Sequence, residues 1–180
     1  MDVDQTCVIL YSAPGMPSGW NPLPARIRFA EVNWSFCFIS NSSCRYALKF
    51  KGINHKVIWL EYPDIEPTLR NLNASPTGTW PDGRPFYSVP VIIDPTHPTE
   101  DDEPRVISDS WTIAMYLDDN FPSRNKLFPD NTKALQMLFQ RHIHKTLYIG
   151  TLARILTPQV LPVLSPVSQE YVRLVQFQCD

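Results

Sequence analysis

Ser88-Val89-Pro90-Val91-Ile92, followed beyond a turn-rich excursion by Ser108-Asp109-Ser110-Trp111, decides how this chain is read. Pro90 sits inside an apolar, strand-like run, where a proline removes a donor from the hydrogen-bond ladder. Chains keep such a proline where its peptide bond is cis, or where the backbone before it must stay free for a partner. At Asp109-Ser110 an acid and a hydroxyl stand where a helix begins, and the first amides of a helix converge on anions. One feature offers a free backbone edge and the other a carboxylate site. Together they suit a small peptide that carries a carboxylate. Their bland rivals are an edge-strand turn at Pro90 and plain helix capping at Asp109-Ser110.

The bulk numbers narrow the classes. A length of 180 residues allows one domain, or one plus part of another. The 43% of hydrophobic residues is enough for a real core, and a net charge of −2 gives no reason to expect nucleic acid or an anionic membrane as partner. No apolar run reaches the roughly 20 residues of a membrane span. Met1-Asp2-Val3-Asp4 lacks the basic-then-apolar layout of a signal peptide, so a cytoplasmic protein is expected. Cys7, Cys37, Cys44 and Cys179 show no CxxC spacing and read as free thiols in that compartment. The sequons at Asn33, Asn41 and Asn73 then read as chance. No metal is expected, because His142 and His144 point to different faces of one helix, and His142 reads as a packed residue on an apolar stripe. GxSxG, HExxH and phosphate-loop motifs do not occur.

Element by element, Val8-Ile9-Leu10-Tyr11 reads as a strand, and Arg45 to Phe50 as the end of a helix stopped by Gly52. Lys56 to Leu60 is β-branched and aromatic, a second strand. A short helix is expected from Ile65, with Pro67 in its first turn and Leu69 and Leu72 facing inward. Pro81-Asp82-Gly83-Arg84-Pro85 is a loop leading into the strand that contains Pro90, and Arg105-Val106-Ile107 pairs back on it. Ser110 opens a helix with Ile113, Ala114 and Leu117 at helical spacing, ending by Phe121-Pro122. The order predicts a mixed sheet with helices on both faces. Beyond Pro122, Thr132 can cap a helix with the stripe Leu135, Leu138, Phe139, His142, Ile143 and Leu147. Further segments are broken at Pro158, Pro162 and Pro166.

The Val89-Pro90 step, with Asp109-Ser110 before Ile113-Ala114-Met115-Tyr116-Leu117, resembles the thioredoxin-like domain of glutathione transferases. Lys49-Phe50-Lys51-Gly52, the run from Trp59 to Pro67, Pro81 to Tyr87 and Ser108-Asp109-Ser110-Trp111 look like the fungal, etherase-related class of that family. The likeness covers most of residues 7–28 and 45–173. It implies the glutathione transferase fold: an α/β thioredoxin-like N-terminal domain over residues 1–122, then an incomplete, truncated all-α C-terminal domain over 123–180. It implies glutathione as co-substrate and no metal. Val89 and Pro90 would present the backbone that pairs with the cysteinyl part as an added strand, and Asp109 and Ser110 would take the γ-glutamyl end. The implied chemistry is attack of the glutathione thiolate on a hydrophobic electrophile, or cleavage of an ether. Homodimerisation stays open.

A thiol with a pKa of about 8.5 must be held as thiolate by a donor and a helix N-terminus. The donor should lie between the first strand and first helix, where Ser12, Ser18 and Asn21 are available. Trp20-Asn21-Pro22 resembles the family's Trp-Ser-Pro or Trp-Asn-Pro step, which puts Asn21 where the donor is expected. An amide N–H stabilises a thiolate but gives up no proton. Each of the three could equally be a loop residue.

Between Arg28 and Tyr46 the resemblance stops. Removing residues 29–45 joins Pro22–Arg28 to Tyr46-Ala47-Leu48 and restores the family's spacing and one continuous first helix. Residues 29–45 are therefore read as a retained intron, with a true insertion, a hydrophobic loop around Trp34–Ile39, as the rival. Leu174 to Asp180 also departs from the family's helix. Two other functional readings remain: a non-catalytic glutathione- or ligand-binding protein, and an inactive product of a defective gene model.

Overall fold

The computed structural model describes residues 7–13, 37–122, 125–143, 145–146 and 161–176. Its elements are β1 (Val8–Ser12), α1 (Cys37–Phe50), β2 (His55–Trp59), α2 (Tyr62–Asn71), β3 (Gly78–Thr79), β4 (Pro85–Phe86), β5 (Val91–Asp94), β6 (Arg105–Ser108), α3 (Ser110–Asn120), α4 (Lys133–Ile143) and α5 (Pro166–Gln176). The four long strands form one sheet in the order β2-β1-β5-β6. β1 runs parallel to β2 and antiparallel to β5, and β6 is antiparallel to β5. This is the thioredoxin-like mixed sheet expected from the element order.

The alternation of side chains along a strand divides the interior into two cores. Ile9, Tyr11, Val89, Val91 and Ile93 pack on one face of the sheet against Ile65 and Leu69 of α2. Val8, Leu10 and Ile92 pack on the other against Cys44, Ala47 and Leu48 of α1 and Ile113 and Leu117 of α3. α1 ends as its glycine predicts. Gly52 takes φ 69°, its amide bonds the Lys49 carbonyl at 3.0 Å, and the Ile53 amide reaches back to Leu48 at 2.9 Å. Asn73 ends α2 by the same pattern at φ 53°.

Four expectations are corrected. α2 starts at Tyr62, before Ile65, so Pro67 lies inside it. The helix tolerates that missing donor because burial of Ile65 and Leu69 holds it to the sheet. Pro90 precedes its strand, whose ladder begins at Val91. The loop at Pro81–Pro85 is the turn of a small β3–β4 hairpin, with Gly83 at φ 87°. On α4 the apolar stripe faces outward among the described residues: Leu135, Leu138 and Phe139 are 69%, 67% and 60% exposed, and His142 is exposed, not packed. Thr132 does precede α4. Its hydroxyl bonds the Pro129 carbonyl and the Gln136 side chain, while its main-chain carbonyl takes the first helical bond.

α1 runs unbroken through Arg45, and Cys44 is buried in the core it shares with α3. The last residues of the 29–45 segment are thus part of the first helix. Residues 14–36, with Ser18 and Asn21, lie outside the described residues, as do Leu147 and Pro158. Of the cysteines, Cys7 and Cys44 are free and buried.

Just past α1, the Lys51 ammonium meets Asp118 of α3 at 2.7 Å, with side chains only 1% and 7% exposed. Asp118 also accepts the amides of Leu127 at 2.9 Å and Phe128 at 3.0 Å. One carboxylate therefore ties α1, α3 and the connection to α4. Burial by itself would raise the Asp118 pKa, but Lys51 and the two amides outweigh it and hold the carboxyl below its usual range.

Replacing Asp118 with Asn leaves the Lys51 charge buried without a counter-charge, at an expected cost of about 3 kcal/mol in denaturant unfolding. The folded carboxyl titrates below its unfolded value of about 3.9, so its contribution is present above that pH and is lost as pH falls through the folded value. The Tm of the native chain should therefore drop more steeply in acid than that of Asp118→Asn. Parallel acid profiles would remove Asp118 from this role.

Candidate functional site

Strand register brings the predicted residues to one end of the sheet. In the β5–β6 ladder Val91 stands opposite Ser108. Pro90 and Val89 immediately precede β5, and Asp109 and Ser110 immediately follow β6. β1 delivers its C-terminal end to the same place, since Tyr11 stands opposite Val91. Ser18 and Asn21 lie outside the described residues. Ser12, the third donor that the sequence offers, is the last residue of β1 and is buried at 1% exposure.

The Val89–Pro90 peptide bond is cis. The Val89 side chain is buried in the core beneath α2, 7% exposed. Its main-chain N–H and C=O make no hydrogen bond with any described residue. Beside them, the hydroxyls of Ser88 and Thr77 bond each other at 2.7 Å and tie the approach to Val89 to the β3 side.

Asp109 is the N-cap of α3 at φ 73° and ψ 128°, a region that a non-glycine residue enters only under local constraint. Its carboxylate accepts the Thr112 amide and hydroxyl, each at 3.0 Å, and its carbonyl accepts the Ile113 amide at 2.8 Å. The cap serves the third helical residue. The amides of Ser110 and Trp111 have no intrahelical partner and no hydrogen bond to a described residue. The helix start thus presents an exposed carboxylate, a half-buried hydroxyl at Ser110 and two unused amides. It can hold an ammonium and a carboxylate side by side, the pairing found at the end of an amino acid.

Several neighbours were not legible in advance. Ser108 Oγ and Trp111 Nε1, on either side of the pair, are buried and have no partner among the described residues. Trp111 also packs against Phe128 with the rings tilted at 54° and their centres 4.8 Å apart. Cys44 lies near enough to Asp109 to feel its charge. Burial first, and that carboxylate second, push the thiol far above its ordinary pKa. Cys44 is therefore a neutral packing group at neutral pH and offers no nucleophile. Among the described residues no group of acids, histidines and cysteines could hold a metal, and no helix is long and apolar enough to cross a membrane.

Comparison with known proteins agrees with this fold. Residues 42–120 match the family described as glutathione S-transferase, N-terminal domain. The chain is 34% identical over 85 residues to the glutathione S-transferase-like protein ustS of Aspergillus flavus, a match that covers 47% of this chain and 29% of that protein. A glutathione S-transferase of Ceriporiopsis subvermispora, solved in complex with glutathione, superposes with a TM-score of 0.75 at 33% identity, over 96% of this chain and 59% of that one. The glutathione transferase GSTFuA3 of Phanerochaete chrysosporium gives a TM-score of 0.69 at 31% identity, over 96% of this chain and 61% of that one. The chain therefore spans less than two thirds of each of these relatives. It has their fold.

The strained cap makes a separable prediction. Asp109→Ala loses the cap and keeps a Cβ at positive φ, so it should cost about 1–2 kcal/mol. Asp109→Gly loses the carboxylate but relieves the backbone and should be less destabilised. Thermal unfolding of both checks this, and an alanine variant as stable as the glycine one would count against the strain.

Proposed function

We propose that this chain, a glutathione S-transferase-like protein by family and fold, binds glutathione at the end of β1 and β5 where α3 begins. The supporting observation is the Val91–Ser108 register, which sets the main chain of Val89, unpaired among the described residues, beside the first turn of α3. An extended tripeptide gains two main-chain hydrogen bonds by pairing with Val89, as an added strand does. Its γ-glutamyl end then meets Asp109 through the ammonium, and Ser110 with the free amides of α3 through the carboxylate. The peptide's polarity fits the site's, and its thiol would point back toward the segment after β1.

The reaction that follows is transfer of the glutathione sulfur. The thiol loses its proton to water, the thiolate forms a C–S bond with a hydrophobic electrophile or an ether carbon, and the displaced group leaves with the electron pair. Asn21 or Ser18 orients the thiolate by donating a hydrogen bond, which lowers its pKa without taking the proton. In this reading residues 1–122 hold the peptide and 123–180 contribute the electrophile side, in a cytoplasmic enzyme able to form homodimers. Residues 29–45 are a retained intron or an insertion in the first domain.

Calorimetric titration of glutathione into the full chain tests the reading. The native chain should bind, and Ser110→Ala and Asp109→Asn should each weaken binding by about tenfold, the loss of one hydrogen bond to a charged group. With an aryl halide as electrophile, Asn21→Ala or Ser18→Ala should lower kcat and leave the glutathione KM in place. No binding by the native chain, or binding unchanged by both α3 variants, would overturn the assignment.

A further inference from the structure

The N-termini of α2 and α5 exchange hydrogen bonds through Glu61 and Ser168. Glu61 is the N-cap residue of α2, yet its side chain caps nothing in its own helix. Its carboxylate accepts instead the hydroxyls of Ser165 and Ser168 at the start of α5. In return, Ser168 Oγ accepts the amide of Tyr62, the first residue of α2, at 3.0 Å. Ser165 closes the exchange: its hydroxyl accepts the Ser168 amide at 3.3 Å and its carbonyl the Gln169 amide at 2.8 Å. Ser168 has no solvent exposure, and its hydroxyl is used as donor and acceptor at once. A carboxylate placed at a helix N-terminus is favoured by the unpaired amides and the positive end of the helix dipole.

What the exchange grips is the helix behind the proposed ligand-pairing segment. Ile65 and Leu69 of α2 lie in the same core cluster as Val89, Ile9 and Tyr11. At the other end of α2, the Arg70 guanidinium pairs with Glu66 at 2.8 Å and sits 5.1 Å over the ring of Tyr87, two residues before Val89. A shift of α2 is therefore passed to Val89 through the core and through Tyr87.

We propose that Glu61 is a positioning residue for the glutathione site: held by Ser165 and Ser168, it fixes α2 and, through α2, the main chain at Val89. The proposal rests on the reading of Val89 given above. It makes the region around α5 a part of the peptide site although no residue of α5 pairs with the peptide.

The test is the glutathione Kd, measured by calorimetry on the full chain well below each variant's Tm. Glu61→Ala and Ser168→Ala should each weaken binding by about fivefold to tenfold, the usual range for coupling through one element. Glu61→Gln keeps an oxygen that accepts both hydroxyls and should recover most of the affinity. Ile107→Val, a destabilising change on the opposite core face, should lower Tm and leave Kd unchanged. Native Kd in both Glu61→Ala and Ser168→Ala, or equal weakening in Ile107→Val, would overturn the positioning role while leaving the site itself intact. A native chain that binds no glutathione would remove the site and the positioning role together.

Discussion

A carboxylate with no solvent exposure holds the two halves of the site in register. Asp94 ends β5, and its oxygens accept the Thr96 amide at 2.8 Å, the Thr96 hydroxyl at 2.6 Å and the Tyr116 hydroxyl at 2.7 Å, with His97 at 2.9 Å. Burial alone would raise its pKa, but the hydrogen bonds win and keep it below the usual range. Tyr116 belongs to α3, so the bond joins the helix to the central strand. Asp94 also pushes the Tyr116 phenol up, after burial, which keeps that hydroxyl a donor. β5 leaves Val89 at one end and this anchor at the other. α3 leaves Asp109 and Ser110 at its own start. If the strand and helix slid past each other, the main chain at Val89 and the first amides of α3 would part, and the proposed peptide site with them.

The same logic recurs at each joint. Lys51 and Asp118 fix α1 to α3, and Glu61 with Ser165 and Ser168 fixes α2 to α5. Each uses a carboxylate that receives several donors, the arrangement that makes a buried or half-buried charge tolerable. The two apolar cores supply the bulk of the stability, and the polar joints add fixed points between the elements.

Much of this was legible in the sequence, for stateable reasons. Short apolar or β-branched runs bounded by turn residues placed β1, β2, β5 and β6, since β1 and β5 are buried along their whole length and show no alternation, and helical spacing placed α3. The proline-interrupted run and the acid-hydroxyl pair located Val89 and Asp109-Ser110, since both depend on local backbone chemistry. The start of α2 was misread because Pro67 looks like a first-turn residue, and only the packing of Ile65 and Leu69 shows that the helix begins earlier. The β3–β4 hairpin pairs only two residues on each side, too few to leave a period. The outward stripe on α4 and the link from Glu61 to Ser165 and Ser168 were invisible, because both are set by what a helix meets in three dimensions. No spacing rule links Glu61 to Ser168.

The central claim is that Val89 and the first amides of α3 form one peptide-binding edge. Amide hydrogen exchange, residue by residue, with and without saturating glutathione, tests it most directly. The account predicts slowed exchange at Val89, Ser110 and Trp111, with β5 amides already protected in the free chain. Slowing confined to other segments, with Val89 and Ser110 exchanging as in the free protein, would contradict it.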